Sequence, residues 1–427
     1  MQPGAAFEYR DALDTRFRIA CIGDSNTRGD RRNLPVSQWA RQSEHCSLAS
    51  YVCRGNYPSM LQALLDARHY YVEDFGESGR SLASLMPPGC PPGLHEKAAQ
   101  PGELNQPNAS ACEKAMLSMR LVISVKRFQP SMLVVMLGTN DAQHQHVRNQ
   151  LLDQVAHVVE ARLSLLLRVL RSRNGGAIGE LPPYTLVLQP PPTMAEIPSW
   201  GIWAARGTCV HLAKPPRTYS IKTRTNTSTC KCAAMHTCMF NPKGCVKLNR
   251  CLMCGPNETV PVNSNPEGHE SVQGCIRVDA LEKVRLGVAW AAAASSRALK
   301  ATAQANSSTD CGGGVFDAHQ IALKPDWHLF MDPYHFRPAG AASIACHVLS
   351  TILKHKKHCG VFTSGPVGAA LAKRHERFCI PVLQVAREPS TEGLRRLLPL
   401  EQELKRFSQG QGSPASLVPR VYNLSAQ

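Results

Sequence analysis

The sequence lacks the long apolar runs and the compositional biases that mark several broad classes of protein. Its strongly apolar runs, such as residues 132–137 and 163–170, fall well short of the ~20 residues that a membrane-spanning helix needs. Aromatic residues make up only 6%, yet 43% of the residues are hydrophobic and 19% are charged, which excludes a disordered chain and gives no collagen or coiled-coil signature. The 427 residues can form one enlarged α/β domain or two to three average domains.

Acidic residues are also scarce, and the resulting positive charge is unevenly distributed. The chain has 48 Lys and Arg against 32 Asp and Glu, a formal net charge of +16. Residues 205–275 hold nine basic and three acidic side chains, and residues 356–427 hold eleven and five. Any contact with a polyanion is therefore predicted for these two segments and not for the main body, the alternative being that they are simply solvated.

The sequence gives opposing indications of the cellular compartment. No apolar stretch typical of a signal peptide occurs in the first 17 residues, which favours the cytoplasm. However, eight of the 17 cysteines crowd into residues 209–275, and five N-glycosylation sequons occur where about two are expected by chance. These sequons begin at Asn108, Asn226, Asn257, Asn306 and Asn423. Cysteines and sequons together favour a secretory or extracellular location.

Short apolar runs alternate with helical patterns over most of the chain. Strands are predicted at residues 17–22, 70–75, 131–137, 184–188 and 315–316. Helices are predicted to start at Tyr57 and to occupy residues 115–128, 147–171, 281–303 and 338–354. This alternation predicts a parallel sheet covered by helices on both faces.

The pattern divides the chain into three parts. Residues 16–199 and 276–355 form the predicted catalytic domain, residues 200–275 a Cys-rich basic insertion with no helix or strand period, and residues 356–427 a weakly patterned C-terminal tail. We find no internal repeat.

Four polar segments lie where a parallel α/β sheet usually carries its reactive residues. Residues 23–27, 76–79 and 138–141 each follow one of the first three predicted strands, and residues 332–335 lie just before the helix at 338–354. Because the carboxyl ends of parallel strands meet at one edge of the sheet, these segments are expected to meet there.

The residue types in these segments fit acyl transfer. Ser25 is a candidate nucleophile on a strand-to-helix turn, His335 can act as its base, and Asp332 can orient the imidazole. The backbone N–H groups of Ser25 and Gly79 and the side-chain amide of Asn140 are candidate oxyanion donors. Each segment alone is common turn chemistry. Their ordered occurrence after apolar strands favours a catalytic interpretation.

These segments resemble the four sequence blocks of the SGNH hydrolase (GDSL esterase/lipase) superfamily. The matching residues are Gly23-Asp24-Ser25, Gly79, Gly138-Thr139-Asn140-Asp141 and Asp332-Pro333-Tyr334-His335, and the resemblance covers roughly residues 16–195 and 276–355. It implies a three-layer α/β/α, flavodoxin-like fold and an ester hydrolase without metal or cofactor. It also implies Ser25, His335 and Asp332 as the catalytic triad, with Ser25, Gly79 and Asn140 as the oxyanion hole.

Two further details indicate which branch of the superfamily the sequence resembles. Ser25-Asn26-Thr27 and Tyr57-Pro58 look most like the carbohydrate-esterase branch, which resembles acetylesterases more than long-chain lipases. Three features depart from the family pattern: Phe336 follows the histidine where Pro is often found, the loops at 30–55 and 82–110 are long, and the insertion has no counterpart.

Three functions follow as hypotheses. The first is a serine esterase that removes a short acyl group, most plausibly acetyl, from a carbohydrate or similar alcohol through an acyl-enzyme. The second keeps the chemistry but acts on a lipid ester, a lysophospholipid or a thioester. The third is a non-catalytic polyanion-binding protein with a vestigial esterase body. No specific nucleic-acid partner is expected under the first two.

The cysteines are predicted to have structural roles. In the insertion, disulfides are favoured over a zinc site, because only one Cys-x-x-Cys, Cys251 to Cys254, is present. The other candidate zinc ligands there are Cys230, Cys232 and His236. Cys21 is predicted to be a buried strand residue. Four cysteines near the two long loops could staple them: Cys46, Cys53, Cys90 and Cys112.

Three polar residues near the predicted site also have alternative interpretations. Arg80 could contact substrate or form a surface salt bridge. His144 and His146 are more consistent with a polar helix start than with substrate contact.

Overall fold

A central parallel sheet organises the chain in the computed structural model. The residues that the structure describes are 16–29, 55–88, 90, 109–142, 152–172, 183–193, 217–222, 227–232, 278–305, 315–326, 328–330, 335–354 and 365–408. The main sheet has five parallel strands in the order β2-β1-β3-β4-β7. They are β1 (Phe17–Gly23), β2 (Tyr70–Gly76), β3 (Met132–Met136), β4 (Tyr184–Leu188) and β7 (Val315–His319). This is the flavodoxin-like order, in which the strand sequence reverses next to β1.

Ten α-helices are found in the described part of the chain. The helices before the insertion are α1 (Ser25–Arg28), α2 (Tyr57–Leu64), α3 (Ala109–Leu117), α4 (Arg120–Phe128) and α5 (Leu152–Arg171). Those after it are α6 (Val278–Ala305), α7 (Pro338–Lys354), α8 (Gly365–Arg374), α9 (Ile380–Arg387) and α10 (Thr391–Ser408). None of them has both the length and the apolarity to cross a membrane.

The three central strands, β1, β3 and β4, are mostly apolar because both faces of the sheet are covered. In β1, Ile19 and Cys21 join one buried cluster, whereas Ala20 and Ile22 join the other. The first cluster contains residues of α2 and α7, and the second contains residues of α4, α5 and α6. Side chains of a strand alternate between faces, so a continuous apolar run is what a central strand of such a sheet requires. The three-layer α/β/α fold is thereby confirmed.

The segment from 356 to 427 differs from the weakly patterned tail that the sequence indicated. Its described residues form α8, α9 and α10, and their apolar side chains lie in the same buried cluster as α2 and α7. Leu371, Val382 and Leu397 are each 1% exposed. Proline and glycine residues, including Pro399 within α10, interrupt the helical pattern of this segment. Packing of its apolar side chains against α2 and α7 stabilises the helices in spite of this weak local pattern.

The insertion also contains regular structure that its sequence did not indicate. Strands β5 (Arg217–Lys222) and β6 (Thr227–Cys232) pair antiparallel, with Arg217 opposite Cys232. Hydrogen bonds between backbone groups hold a two-stranded hairpin together. Its sequence therefore needs no alternating pattern of apolar residues, and none is present to predict it. The other six cysteines of the insertion and His236 lie outside the described residues, so the disulfide pairing and the zinc alternative stay predictions.

Within the described residues, two disulfides join parts of the α/β body. Cys90, on the loop after β2, is bonded to Cys112 in α3, with their Cα atoms 4.4 Å apart. This confirms one pair among the four cysteines expected to staple the long loops, while Cys46 and Cys53 lie outside the described residues. Cys346 in α7 is bonded to Cys379 in the π-helical turn before α9. Cys21 is a buried free thiol, as predicted for a strand residue.

Candidate active site

The serine at position 25 begins a one-turn helix directly after β1. Asp24 is the N-cap of α1, and its carboxylate accepts a hydrogen bond from the backbone N–H of Asn26 at 2.8 Å. Gly23 allows this backbone to lie close to both α1 and the end of β3. A Cβ at this position would lie 1.8 Å from Oγ1 of Thr27 and 2.7 Å from the carbonyl oxygen of Met136. The turn therefore holds Ser25 at the carboxyl edge of the sheet, 9% exposed.

His335 meets Ser25 although 310 residues separate them along the chain. Nε2 of His335 lies 2.9 Å from Oγ of Ser25. This is within the range over which a histidine can accept the proton of a hydroxyl group. His335 lies just before the start of α7, whose residues pack in the buried cluster beneath the sheet. The position of the imidazole is thus set by a helix of the core.

Gly79 follows β2 and has a backbone conformation that favours glycine. Its φ is +76°, in the left-handed region where other residues are strained. A Cβ at this position would meet nothing within 4 Å among the described residues. The glycine is therefore required by its backbone angles and not by crowding.

Asn140 joins the loop after β3 to the loop after β2. It lies in a 3₁₀ turn, Asn140–Ala142, and its Nδ2 donates a hydrogen bond to the carbonyl oxygen of Arg80 at 2.9 Å. The side chain is buried with 7% exposure. Since Arg80 directly follows Gly79, the amide fixes the chain next to the second candidate oxyanion donor.

Arg80 braces the strand ends instead of pointing into open solvent. Its Nη1 donates to the carbonyl oxygen of Gly23 at 3.2 Å and to that of Phe75, and its Nη2 lies 2.6 Å from a carboxylate oxygen of Glu77. The side chain is only 9% exposed. Of the two interpretations left open by the sequence, the salt bridge is present, and backbone carbonyls complete the environment of the guanidinium.

Some predicted residues lie outside the described part of the chain. Asp332, the predicted partner of His335, is among them, as are His144 and His146. The orienting role of Asp332 stays a prediction. No group of three or more potential metal ligands occurs among the described residues.

Two carboxyl groups, one buried and one partly buried, lie near the turn that holds Ser25. Burial raises the pKa of Asp24 to about 6, an effect that the Asn26 backbone N–H and the nearby His335 oppose. Burial likewise raises the pKa of Asp74 to about 7, against hydrogen bonds from the Gly76 N–H and the Asn56 side chain. The pKa values of both carboxyl groups therefore lie closer to neutral pH than that of an exposed aspartate.

Sequence reasoning gave no role to Asp141 and did not single out Arg162. Arg162 lies on α5 with its Nη1 3.7 Å from Oδ1 of Asp141, and the two side chains are 3% and 2% exposed. One signal was available: residues 155, 158, 159, 162, 163 and 166 share the core spacing of α5, and the residue at 162 is charged. A charge at a core position of a helix usually has a buried partner.

Comparisons with known proteins agree with the geometry of the site. Residues 19–217 match the family model described as GDSL-like Lipase/Acylhydrolase. This stretch contains Ser25, Gly79 and Asn140, and His335 lies beyond it. No curated protein matches the chain.

Solved structures show weaker likenesses. A carbohydrate acetylesterase from Sinorhizobium meliloti is 13% identical with a TM-score of 0.35, over 79% of this chain and 99% of that one. A carbohydrate acetylesterase family member from the same organism is 13% identical with a TM-score of 0.34, over 81% and 100%. These values are too low to indicate a shared activity. Residues 19–217 of the chain are thus similar to the GDSL-like lipase/acylhydrolase family, and the protein is a hydrolase that acts on ester bonds.

Proposed function

We propose that the protein is a serine esterase that removes a short acyl group, acetyl being the first candidate, from a carbohydrate or a similar polar alcohol. The observation that carries the proposal is the 2.9 Å approach of His335 Nε2 to Ser25 Oγ at the carboxyl edge of the sheet. A serine hydroxyl is a weak nucleophile without an adjacent base, and the imidazole is within reach to serve as one.

In the proposed reaction, Ser25 attacks the ester carbonyl while His335 takes the hydroxyl proton. The tetrahedral oxyanion accepts hydrogen bonds from the N–H groups of Ser25 and Gly79 and from the amide of Asn140. His335 then gives its proton to the departing alcohol, and the acyl group stays bound to Ser25 as an acyl-enzyme. Water, activated by the same histidine, repeats the attack and releases the acid. Asp332 is proposed to orient the imidazole.

The preference for a short acyl group and a polar alcohol rests on the residues around the nucleophile. Ser25-Asn26-Thr27 and Tyr57-Pro58 resemble the carbohydrate-esterase branch. Buried polar side chains, those of Asp24 and Asn26, directly flank the serine in the chain. An acetyl group needs little apolar surface, whereas a long acyl chain needs an apolar channel to replace its contacts with water.

Replacement of the nucleophile tests the chemistry. With p-nitrophenyl acetate, Ser25→Ala should lower kcat by about 10³-fold or more, because a nucleophile acts only in the chemical step. Ser118→Ala is the matched control, since Ser118 is exposed at the end of α3 and should leave turnover unchanged. A fluorophosphonate probe should form an adduct on the Ser25 peptide, detected by mass spectrometry. Unchanged turnover of Ser25→Ala would exclude the proposed mechanism.

An acyl-chain series tests the substrate class. The kcat/KM for p-nitrophenyl esters should fall steadily from acetate to butyrate to octanoate, and acetylated oligosaccharides should release acetate measurable by mass spectrometry. A rise in kcat/KM with chain length would instead support a lipid ester as substrate. Failure of the probe to label folded wild-type protein would favour the non-catalytic, polyanion-binding alternative.

A further inference from the structure

The chain that follows Gly79 is held in place by the loop after β3. Besides the bond from Asn140 to Arg80, the Asp141 carboxylate accepts two backbone hydrogen bonds from this segment. Its Oδ2 accepts from the N–H of Leu82 at 2.8 Å and its Oδ1 from the N–H of Ala83 at 3.2 Å. Three hydrogen bonds thus hold Arg80, Leu82 and Ala83, three of the four residues directly after the candidate oxyanion glycine.

Arg162 places a positive charge beside the Asp141 carboxylate. It lies on α5, a helix whose other core-spaced residues are apolar, and its guanidinium is 3.7 Å from Oδ1 of Asp141. Burying both charges costs desolvation free energy, and a buried ion pair is on average no more stabilising than apolar residues of similar volume. A role in fixing geometry explains the pair better than a role in overall stability.

We propose that Asp141 and Arg162 are positioning residues that hold the loop of Gly79 so that its N–H faces the developing oxyanion. The inference rests on the proposed function, because it assigns Gly79 to the oxyanion hole. Asp141 acts through the backbone of residues 82–83, and Arg162 acts through Asp141. Neither side chain needs to touch the substrate.

The proposal predicts a particular kinetic pattern. Oxyanion donors interact with the transition state more than with the bound ester. Displacement of one donor should therefore lower kcat while KM stays within about twofold. A residue that only stabilised the fold would instead lower the amount of active enzyme and leave the kcat per active site unchanged.

Three variants separate these roles. Asp141→Asn keeps the shape of the side chain but removes its charge and one of its two acceptors, and kcat should fall by about 100-fold. Arg162→Met removes the guanidinium and should lower kcat by about tenfold, whereas Arg162→Lys keeps the positive charge and should recover most of the loss. Arg168→Met is the matched control on the same helix, because Arg168 pairs with Glu113 at the surface, and it should leave kcat unchanged.

Active-site titration with a fluorophosphonate gives the readout that folding alone would not change. The positioning role predicts full labelling amplitude in each variant with a labelling rate that falls in parallel with kcat. Reduced amplitude at the wild-type rate would overturn the proposal, and so would an Arg162→Lys variant no more active than Arg162→Met. If Asp141→Asn does not fold, the two Arg162 variants still decide the matter.

The Ser25→Ala variant separates this inference from the proposed function. If Ser25→Ala keeps wild-type turnover, the proposed function fails and the positioning role fails with it. If Ser25→Ala is inactive while fully titrated Asp141→Asn keeps wild-type kcat, only the positioning role fails.

Discussion

Asp74 lies at the end of β2 and links the nucleophile turn to the rest of the body. Its Oδ1 accepts a hydrogen bond from the Gly76 N–H at 2.7 Å, and its Oδ2 accepts from Nδ2 of Asn56 at 3.0 Å. Burial nevertheless dominates and raises its pKa to about 7. Stability that depends on this group is therefore sensitive to pH in the physiological range.

The sign of that dependence follows from the two states of the chain. The unfolded chain releases this proton near pH 4, whereas the folded protein keeps it until about pH 7. The stability contributed by Asp74 is thus fully present below about pH 4 and is lost as the pH rises to about 7. The loss is on the order of 4 kcal/mol for a shift of this size.

An Asp74→Asn variant should accordingly show a shallower fall of the free energy of unfolding between pH 4.5 and 8. Urea unfolding at a series of pH values measures this slope for both proteins. Some slope should persist in the variant, because Asp24 also has a raised pKa, about 6. Identical slopes in wild type and variant would show that the Asp74 proton is not linked to folding.

Asn56 connects two elements through one side chain. Its Oδ1 caps α2 by accepting the Ser59 N–H at 2.8 Å, and its Nδ2 donates to the carbonyl oxygen of Arg28 at 2.7 Å, at the end of α1. The helix that carries Ser25, α1, is therefore tied to the residue that caps α2. A change at this position should affect both stability and catalysis.

For Asn56→Ala we expect a loss of about 1 to 2 kcal/mol in the free energy of unfolding, together with a lower kcat. Asn56→Asp serves as the comparison, because it keeps the acceptor for the Ser59 N–H but loses the donor to Arg28. It should retain more stability than Asn56→Ala at pH 5 and should still lower kcat. Chemical denaturation and p-nitrophenyl acetate kinetics measure the two effects. An Asn56→Asp variant with wild-type kcat would contradict the link between α1 and α2.

The elements that local sequence predicts well are those buried on both faces. β1, β3 and β4 contain short apolar runs whose hydrophobic residues pack in one of the two clusters, so the apolar run alone identifies each strand. The helix predicted over residues 115–128 is instead two helices, α3 and α4. The break at Met119, whose backbone is extended, carries no glycine or proline signal.

The candidate site likewise has some features that local sequence predicts and others that it does not. The loops of Ser25, Gly79 and Asn140 were expected at one edge because each follows a strand. The roles of Arg162 and Asp74 depend on partners brought close only by tertiary packing, 21 residues away for Asp141 and 18 for Asn56. No local pattern specifies such pairs, although a charge at a core position of a helix marks Arg162 as unusual.

For the molecule as a whole, the C-terminal helices contribute to the core of the catalytic body. Leu371, Phe378, Val382 and Leu397 are buried in the same cluster as α2 and α7. The Cys346–Cys379 disulfide closes a loop of sequence separation 33 between α7 and this segment. The segment is therefore expected to stabilise the helix whose start carries His335.

Removal of that disulfide should lower global stability. A Cys346→Ala/Cys379→Ala double variant is expected to lose about 3 to 4 kcal/mol, the value that loop closure predicts for this separation. Thermal and urea unfolding without reductant measure the change, and alkylation of intact protein followed by mass spectrometry verifies the bond in wild type. Unfolding curves that coincide for the two proteins would show that the bond adds nothing to the folded state.

The order of synthesis follows from the 310 residues between the two reacting groups. A ribosome makes Ser25 well before His335, and α8 to α10 emerge later still. If the proposed mechanism holds, a translation product that stops between these two residues carries the Ser25 hydroxyl without its proton acceptor. We expect such a product to be catalytically silent.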